Sequence, residues 1–224
     1  MKETIHSQVS YLDEIKYGNP PYELLQLAAK NSPIKDWFLQ NPNIFQQLIN
    51  SAPANSSETT KKELEYLANI TQNIEAAELE FAILCEEDHI GVWYKFLNKI
   101  GVKTSRAEVE MITDMLDPLT YHMKYLVNRP RPYQLAHYLG IPLYPKILTN
   151  ANSSAYPGGH AIDSYVIAEY YSRKTQSSRI SQSLQLFANR VANTRIQTGL
   201  HYPSDNEASA LITKYIFDNN LYKI

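Results

Sequence analysis

An all-α fold, built as a compact helical bundle, is predicted from three observations. Apolar residues recur at steps of three and four over most of the chain. No segment sustains apolar–polar alternation, and prolines fall where the helical patterns stop. Hydrophobic residues make up 44% of the 224 and charged residues 20%, which supports a buried core and argues against disorder. A single domain over residues 1–224 is expected.

The elements follow in order. Five of the twelve prolines lie within residues 1–53, where Asn19-Pro20-Pro21, Asn31-Ser32-Pro33 and Asn41-Pro42 punctuate short helices. Between Pro53 and Pro118 there is none, and a long helical stripe is expected: Leu64, Leu67, Ile70, Ile74, Ala77, Phe81 and Leu84 share one face. That stripe reads as core packing rather than a ligand groove. Gly91 and Gly101 are expected to break the chain around a shorter helix holding Trp93, Phe96 and Leu97. Val109, Ile112, Leu116, Leu119, Met123 and Leu126 continue the helical spacing. Asp117-Pro118 either starts a new helix there or kinks the old one. Residues 129–158, rich in Pro, Asn, Ser and Tyr, read as loop. Helices are expected over roughly 160–173, 178–193 and 205–221, the last opened by a Ser204-x-x-Glu207 capping box.

Composition removes several classes of function. The net charge is −2, from 21 Lys and Arg against 23 Asp and Glu, so no basic field for nucleic acid exists. The apolar runs at 165–168 and 208–212 fall far short of the ~18 residues of a membrane span. Residues 1–6 carry no apolar signal-peptide core. A single cysteine, Cys85, excludes an intrachain disulfide and a Cys-based zinc site. A soluble, cytoplasmic protein is the expectation, with oligomeric state open.

Three polar patches are not explained by helix faces. In Lys124-Tyr125-Leu126-Val127-Asn128-Arg129-Pro130-Arg131-Pro132, a helix end delivers cations into a proline-extended segment that can gather an anion. Basic residues at a helix C-terminus are also ordinary caps. In Tyr156-Pro157-Gly158-Gly159-His160, consecutive glycines let backbone N–H groups approach a ligand at a helix N-terminus. A histidine in that first turn can exchange a proton. The plain alternative is a flexible turn. In Thr194-Arg195-x5-His201-x3-Asp205, the aspartate either favours the first turn of a helix or accepts the Nδ1–H of His201, leaving Nε2 as nucleophile or base.

Together, these patches resemble the signature of the type 2 phosphatidic acid phosphatase and vanadium haloperoxidase superfamily: K-x6-R-P, then P-S-G-H, then S-R-x5-H-x3-D. Lys124 and Arg131-Pro132 match the first piece, Pro157, Gly159 and His160 the second, Arg195, His201 and Asp205 the third. The resemblance covers residues 124–205, whereas residues 1–100 carry no recognised motif. It implies a helical bundle with the site at the ends of core helices. Two positions depart from the pattern: Gly158 replaces the serine of P-S-G-H, and Thr194 replaces the serine before the arginine. If Gly158 only removes a hydroxyl donor, Gly158→Ser is expected to raise turnover.

By this resemblance, His201 attacks phosphorus to form a phosphohistidine and Asp205 supports its imidazole. His160 protonates the leaving oxygen, then activates water. Lys124, Arg131 and Arg195, with the Gly158–Gly159 backbone, hold the non-bridging oxygens. The function implied is a soluble, metal-independent phosphatase acting on a small phosphorylated substrate, a phosphomonoester or phosphoanhydride. No cofactor is expected, and vanadate should inhibit. Two alternatives stand: a vanadate-dependent haloperoxidase with vanadate as prosthetic group, and a non-catalytic phosphate-ligand-binding protein. Reading His160, His201 and Asp205 as metal ligands leaves the cations unexplained. Arg129 is out of register and expected on the surface. Asp163 is expected to cap a helix, and His6, His89, His122 and His137 match no motif.

Overall fold

The computed structural model describes residues 11–147 and 151–222, so the readings of residues 1–6 and of His6 lie outside the described residues. All regular structure among the described residues is helical. The N-terminal helices are α1 (Tyr22–Ala29), α2 (Pro33–Gln40) and α3 (Pro42–Asn50). Prolines open α2 and α3, as the Asn-Ser-Pro and Asn-Pro signals predict, and the Ser32 hydroxyl caps α2 by accepting from the Lys35 N–H.

The long stripe forms two helices, not one: α4 (Glu58–Gln72) and α5 (Ala76–Glu87). Asn73 ends α4, its side-chain amide donating to the Asn69 carbonyl, and Glu75 is extended before α5. An asparagine that satisfies a helical carbonyl from its side chain favours a terminus over continuation. Leu64 and Leu67 are buried, but Leu84 is 54% exposed, because its face turns with the break. Next come α6 (His89–Lys99), α7 (Arg106–Asp114) and α8 (Asp117–Val127). Gly91 lies inside the first turn of α6, where its N–H donates to the capping Asp88 carboxylate, so it does not break the chain. Gly101, at φ +85°, does end α6. Asp117-Pro118 starts α8 as a new helix.

Among the described residues of 129–158, read as loop, there is one short helix, α9 (Pro132–Tyr138), with Pro132 in its first turn. The C-terminal helices α10 (Gly159–Lys174), α11 (Ser178–Gln197) and α12 (Pro203–Asp218) match the sequence reading closely. The capping box does not. Tyr202 is the N-cap of α12, and Asp205 reaches back to accept the Tyr202 N–H at 2.9 Å, while Ser204 lies inside the helix.

Helix α10 packs lengthwise on α11 and α12, α1 on α8, and α5 and α4 on α11. One apolar cluster joins Phe38, Trp93, Met123, Tyr156, Val166 and Ile212; a second joins Leu64, Leu67, Leu135, Ala155, Ile196 and Tyr202. Tyr156 and Ala155 are neighbours in sequence yet belong to different clusters. Lys124 directly follows Met123 of the first cluster, and Arg195 directly precedes Ile196 of the second. No helix of the described residues is long and apolar enough to cross a membrane.

Candidate active site

Lys124 is carried into the interior on the last turn of α8, beside the buried Met123. Its ammonium donates to the Ser154 and Pro157 carbonyls, each at 2.7 Å. Burial, then the neighbouring Arg131 charge, hold its pKa well below the ordinary lysine value. Asn128, at φ +49°, turns the chain out of α8 and into the extended segment that ends at Arg131. The Arg131 guanidinium donates to the Ser153 carbonyl at 2.8 Å and the Leu200 carbonyl at 2.9 Å. Its Nη1 also lies 2.8 Å from His201 Nε2.

His201 and Asp205 are one helical turn apart across the start of α12, with Nδ1 and Oδ2 separated by 3.1 Å. Because Asp205 can only accept, Nδ1 carries the proton and Nε2 offers its lone pair toward Arg131. Burial, then the Arg131 charge, keep His201 neutral far below the usual imidazole range. Burial alone would raise Asp205. The Arg129 charge and the His201 hydrogen bond outweigh it and hold the carboxyl down at about 2.

His160 stands in the first turn of α10, its Nε2 3.3 Å from the Cys85 carbonyl. Burial lowers its pKa to about 4, with the Arg131 and Lys124 charges acting in the same direction. Gly158 has an unexceptional φ of −73°, so no left-handed backbone demands glycine there. A Cβ at this position would instead meet Asn206 Oδ1 at 3.1 Å and the Ala161 Cβ at 3.3 Å. The Gly158 N–H is turned toward the Asp205 carbonyl at 3.4 Å, while a Cβ at Gly159 would meet nothing within 4 Å.

Arg195 arrives on the last turn of α11, and its carbonyl accepts from the His201 N–H at 3.1 Å. Its guanidinium forms an ion pair with Glu86 of α5. Thr194 keeps a hydroxyl, but that hydroxyl donates to the Val191 carbonyl of its own helix.

The motif residues therefore converge, and several partners were invisible to spacing. Arg129, expected on the surface, is 2% exposed. It binds Asp205 Oδ1 at 2.7 Å and the Ser204 hydroxyl at 2.8 Å, and stacks on Tyr202 at 3.7 Å. Two carboxylates and an aromatic face supply the desolvated environment a guanidinium tolerates, which explains the correction. Glu63 of α4 joins the same cluster. The sequence signal for it is faint: Glu63 is flanked by Thr60, Leu64 and Leu67 on the buried face of the helix. Asp163 lies inside α10 rather than capping it, 3.9 Å from His89, whose ring meets that of His160 at 4.6 Å between centroids. His122 stacks on Phe45, and His137 meets Tyr138 edge to face. Among the described residues no group of three His, Cys, Asp or Glu side chains is placed to hold a metal ion.

No protein-family model matches the chain, and no curated protein matches it significantly. Among solved structures, the chain is similar to the first transmembrane PAP2 type phosphatidylglycerolphosphate phosphatase from Bacillus subtilis. That likeness has 17% identity and a TM-score of 0.47, and covers 81% of this chain and 97% of the other.

Proposed function

We propose that the protein is a metal-independent phosphatase that hydrolyses phosphomonoesters or phosphoanhydrides through a phosphohistidine on His201. The observation that carries this reading is the buried Asp205–His201 couple, which aims a neutral Nε2 at a guanidinium. A phosphoryl group entering there meets a nucleophile oriented from behind and a cation beside the attacking atom. Phosphoryl transfer depends mainly on such positioning and on charge compensation.

In the forward step, Nε2 bonds to phosphorus as the ester or anhydride oxygen departs, and His160 gives that oxygen its proton. In the second step, His160 takes a proton from water, whose oxygen attacks phosphorus and frees His201. Lys124, Arg131 and Arg195 hold the non-bridging oxygens. Each has a protein acceptor to exchange for them: carbonyls for Lys124 and Arg131, the Glu86 carboxylate for Arg195. The backbone at Gly158 and Gly159 adds the dipole of the α10 N-terminus.

The test is phosphate release from a panel of sugar phosphates, nucleotides, diphosphates and lipid headgroup phosphates. Turnover should persist in chelator, fall to background in folded His201→Ala, and be inhibited competitively by vanadate. Rapid quench with labelled substrate should trap an acid-labile phosphohistidine. Binding of phosphorylated ligands without release of phosphate would favour a non-catalytic binding protein. Peroxide- and bromide-dependent halogenation would favour a haloperoxidase. Recovery of a chelated, inactive protein by added metal would overturn the metal-free reading.

A further inference from the structure

Arg129 and Glu63 form a buried arrangement directly behind the Asp205–His201 couple. The fork of Arg129 places Nη1 2.7 Å from Asp205 Oδ1 and Nη2 3.2 Å from Glu63 Oε2. Glu63 in turn accepts from Ser204 twice, at 2.7 Å from the backbone N–H and 3.0 Å from the hydroxyl. Asp205 thus has one oxygen fixed by Arg129 and the other shared between His201 and the Tyr202 N–H. The Tyr202 ring lies under the guanidinium, 3.7 Å from its central carbon, and packs against that face. Arg129 and Asp205 are buried and Glu63 is largely so, and orientation there is held by hydrogen bonds rather than by solvent.

We propose that Arg129, braced by Glu63, is a positioning residue that fixes the plane and ionisation of Asp205 and so sets the Nδ1–H tautomer and the aim of His201. The proposal rests on the phosphatase reading for its kinetic readout but not for its spectroscopic one. Arg129 acts from the far side of Asp205: its guanidinium is committed to Asp205, Ser204 and Glu63, whereas Arg131 is the one that reaches His201 Nε2. A fourth phosphate-holding cation would behave differently, and the two roles separate in experiment.

Arg129→Lys keeps the charge and loses the fork, so it should lower kcat by of order 10- to 100-fold. KM and the affinity for inorganic phosphate should stay within about twofold of wild type, since the residue makes no phosphate contact. Arg129→Gln should lose more and shift the acid limb of kcat upward, because Asp205 then titrates without its cation. Lys124, Arg131, His160, Tyr202 and Glu63 still face the couple in both variants. Because Arg129→Gln leaves Asp205 and the largely buried Glu63 without their shared cation, Arg129→Gln with Glu63→Gln serves as its better-folding counterpart. In parallel, 15N-histidine NMR should show His201 protonated at Nδ1 in wild type and a mixed tautomer in the variants.

Weakened phosphate binding with unchanged kcat would overturn the proposal in favour of a phosphate-holding arginine. Unchanged kcat and tautomer in a folded variant would overturn it outright, as would failure of all three variants to fold, which would make the pair a folding element. If wild type releases phosphate from no substrate, the phosphatase reading falls, and the NMR arm alone still decides whether Arg129 positions His201.

Discussion

His160 and His201 are both held neutral by burial and the same cations, although the proposed mechanism asks them for opposite proton states. A leaving-group acid must be protonated, and burial with the nearby Arg131 and Lys124 charges lowers His160 to about 4. It is therefore neutral at pH 7 and gains its proton as pH falls. His201 must remain neutral to attack in that mechanism, and burial with the Arg131 charge holds its pKa well below the ordinary value, while Asp205 stays ionised down to about 2. The sign follows: kcat/KM should rise as pH falls from 7 toward about 4–5, and collapse only when His201 or Asp205 takes up a proton. Steady-state rates across pH 3–9 check this, and a rate that instead climbs toward alkaline pH would remove His160 from the acid role. The six charged or proton-carrying motif residues were legible because sequence spacing fixes which helix ends carry them. Arg129 and Glu63 were not, because their importance lies in contacts between segments 66 positions apart.

At the level of elements, α10 and α12 meet so closely at Gly158 that the missing serine becomes a packing question. Ser209 donates to the Gly158 carbonyl at 3.0 Å, and Asn206, anchored to the Ala192 carbonyl, turns its oxygen to where a Cβ would stand. A serine there has its hydroxyl directed against α12, so the gain in turnover expected from the sequence is not expected from the structure. Gly158→Ala should destabilise by about 1–2 kcal/mol through overpacking. Gly158→Ser should recover part of that loss by donating to Asn206 Oδ1, a buried oxygen without a partner among the described residues. Thermal melts of the two variants test the ranking, and a serine variant that is faster than wild type would restore the missing-donor explanation. Helices α10, α11 and α12 were legible to within a few residues from apolar spacing and caps. The split between α4 and α5 was missed because the apolar stripe runs on through Asn73, and α9 was missed because seven residues are too few to show a period.

For the whole molecule, the first hundred residues carried no motif yet supply Ile34, Phe38, Leu48, Trp93 and Leu97 to the core that holds α8 and α10 in place. A fragment of residues 100–224 keeps every motif residue and should still fail to unfold cooperatively or turn over substrate. Circular dichroism melts and limited proteolysis would show this, and wild-type activity in the fragment would refute it. The bond from Glu63 to Ser204 gives that dependence a longer reach. A recombination event that swapped the leading helices for unrelated ones would preserve the entire signature from 124 to 205 and discard the carboxylate behind Arg129. Such a chimera would pass any pattern search while lacking the brace. The surroundings of Asp205 are thus tied to a helix that lies outside the pattern from 124 to 205 altogether.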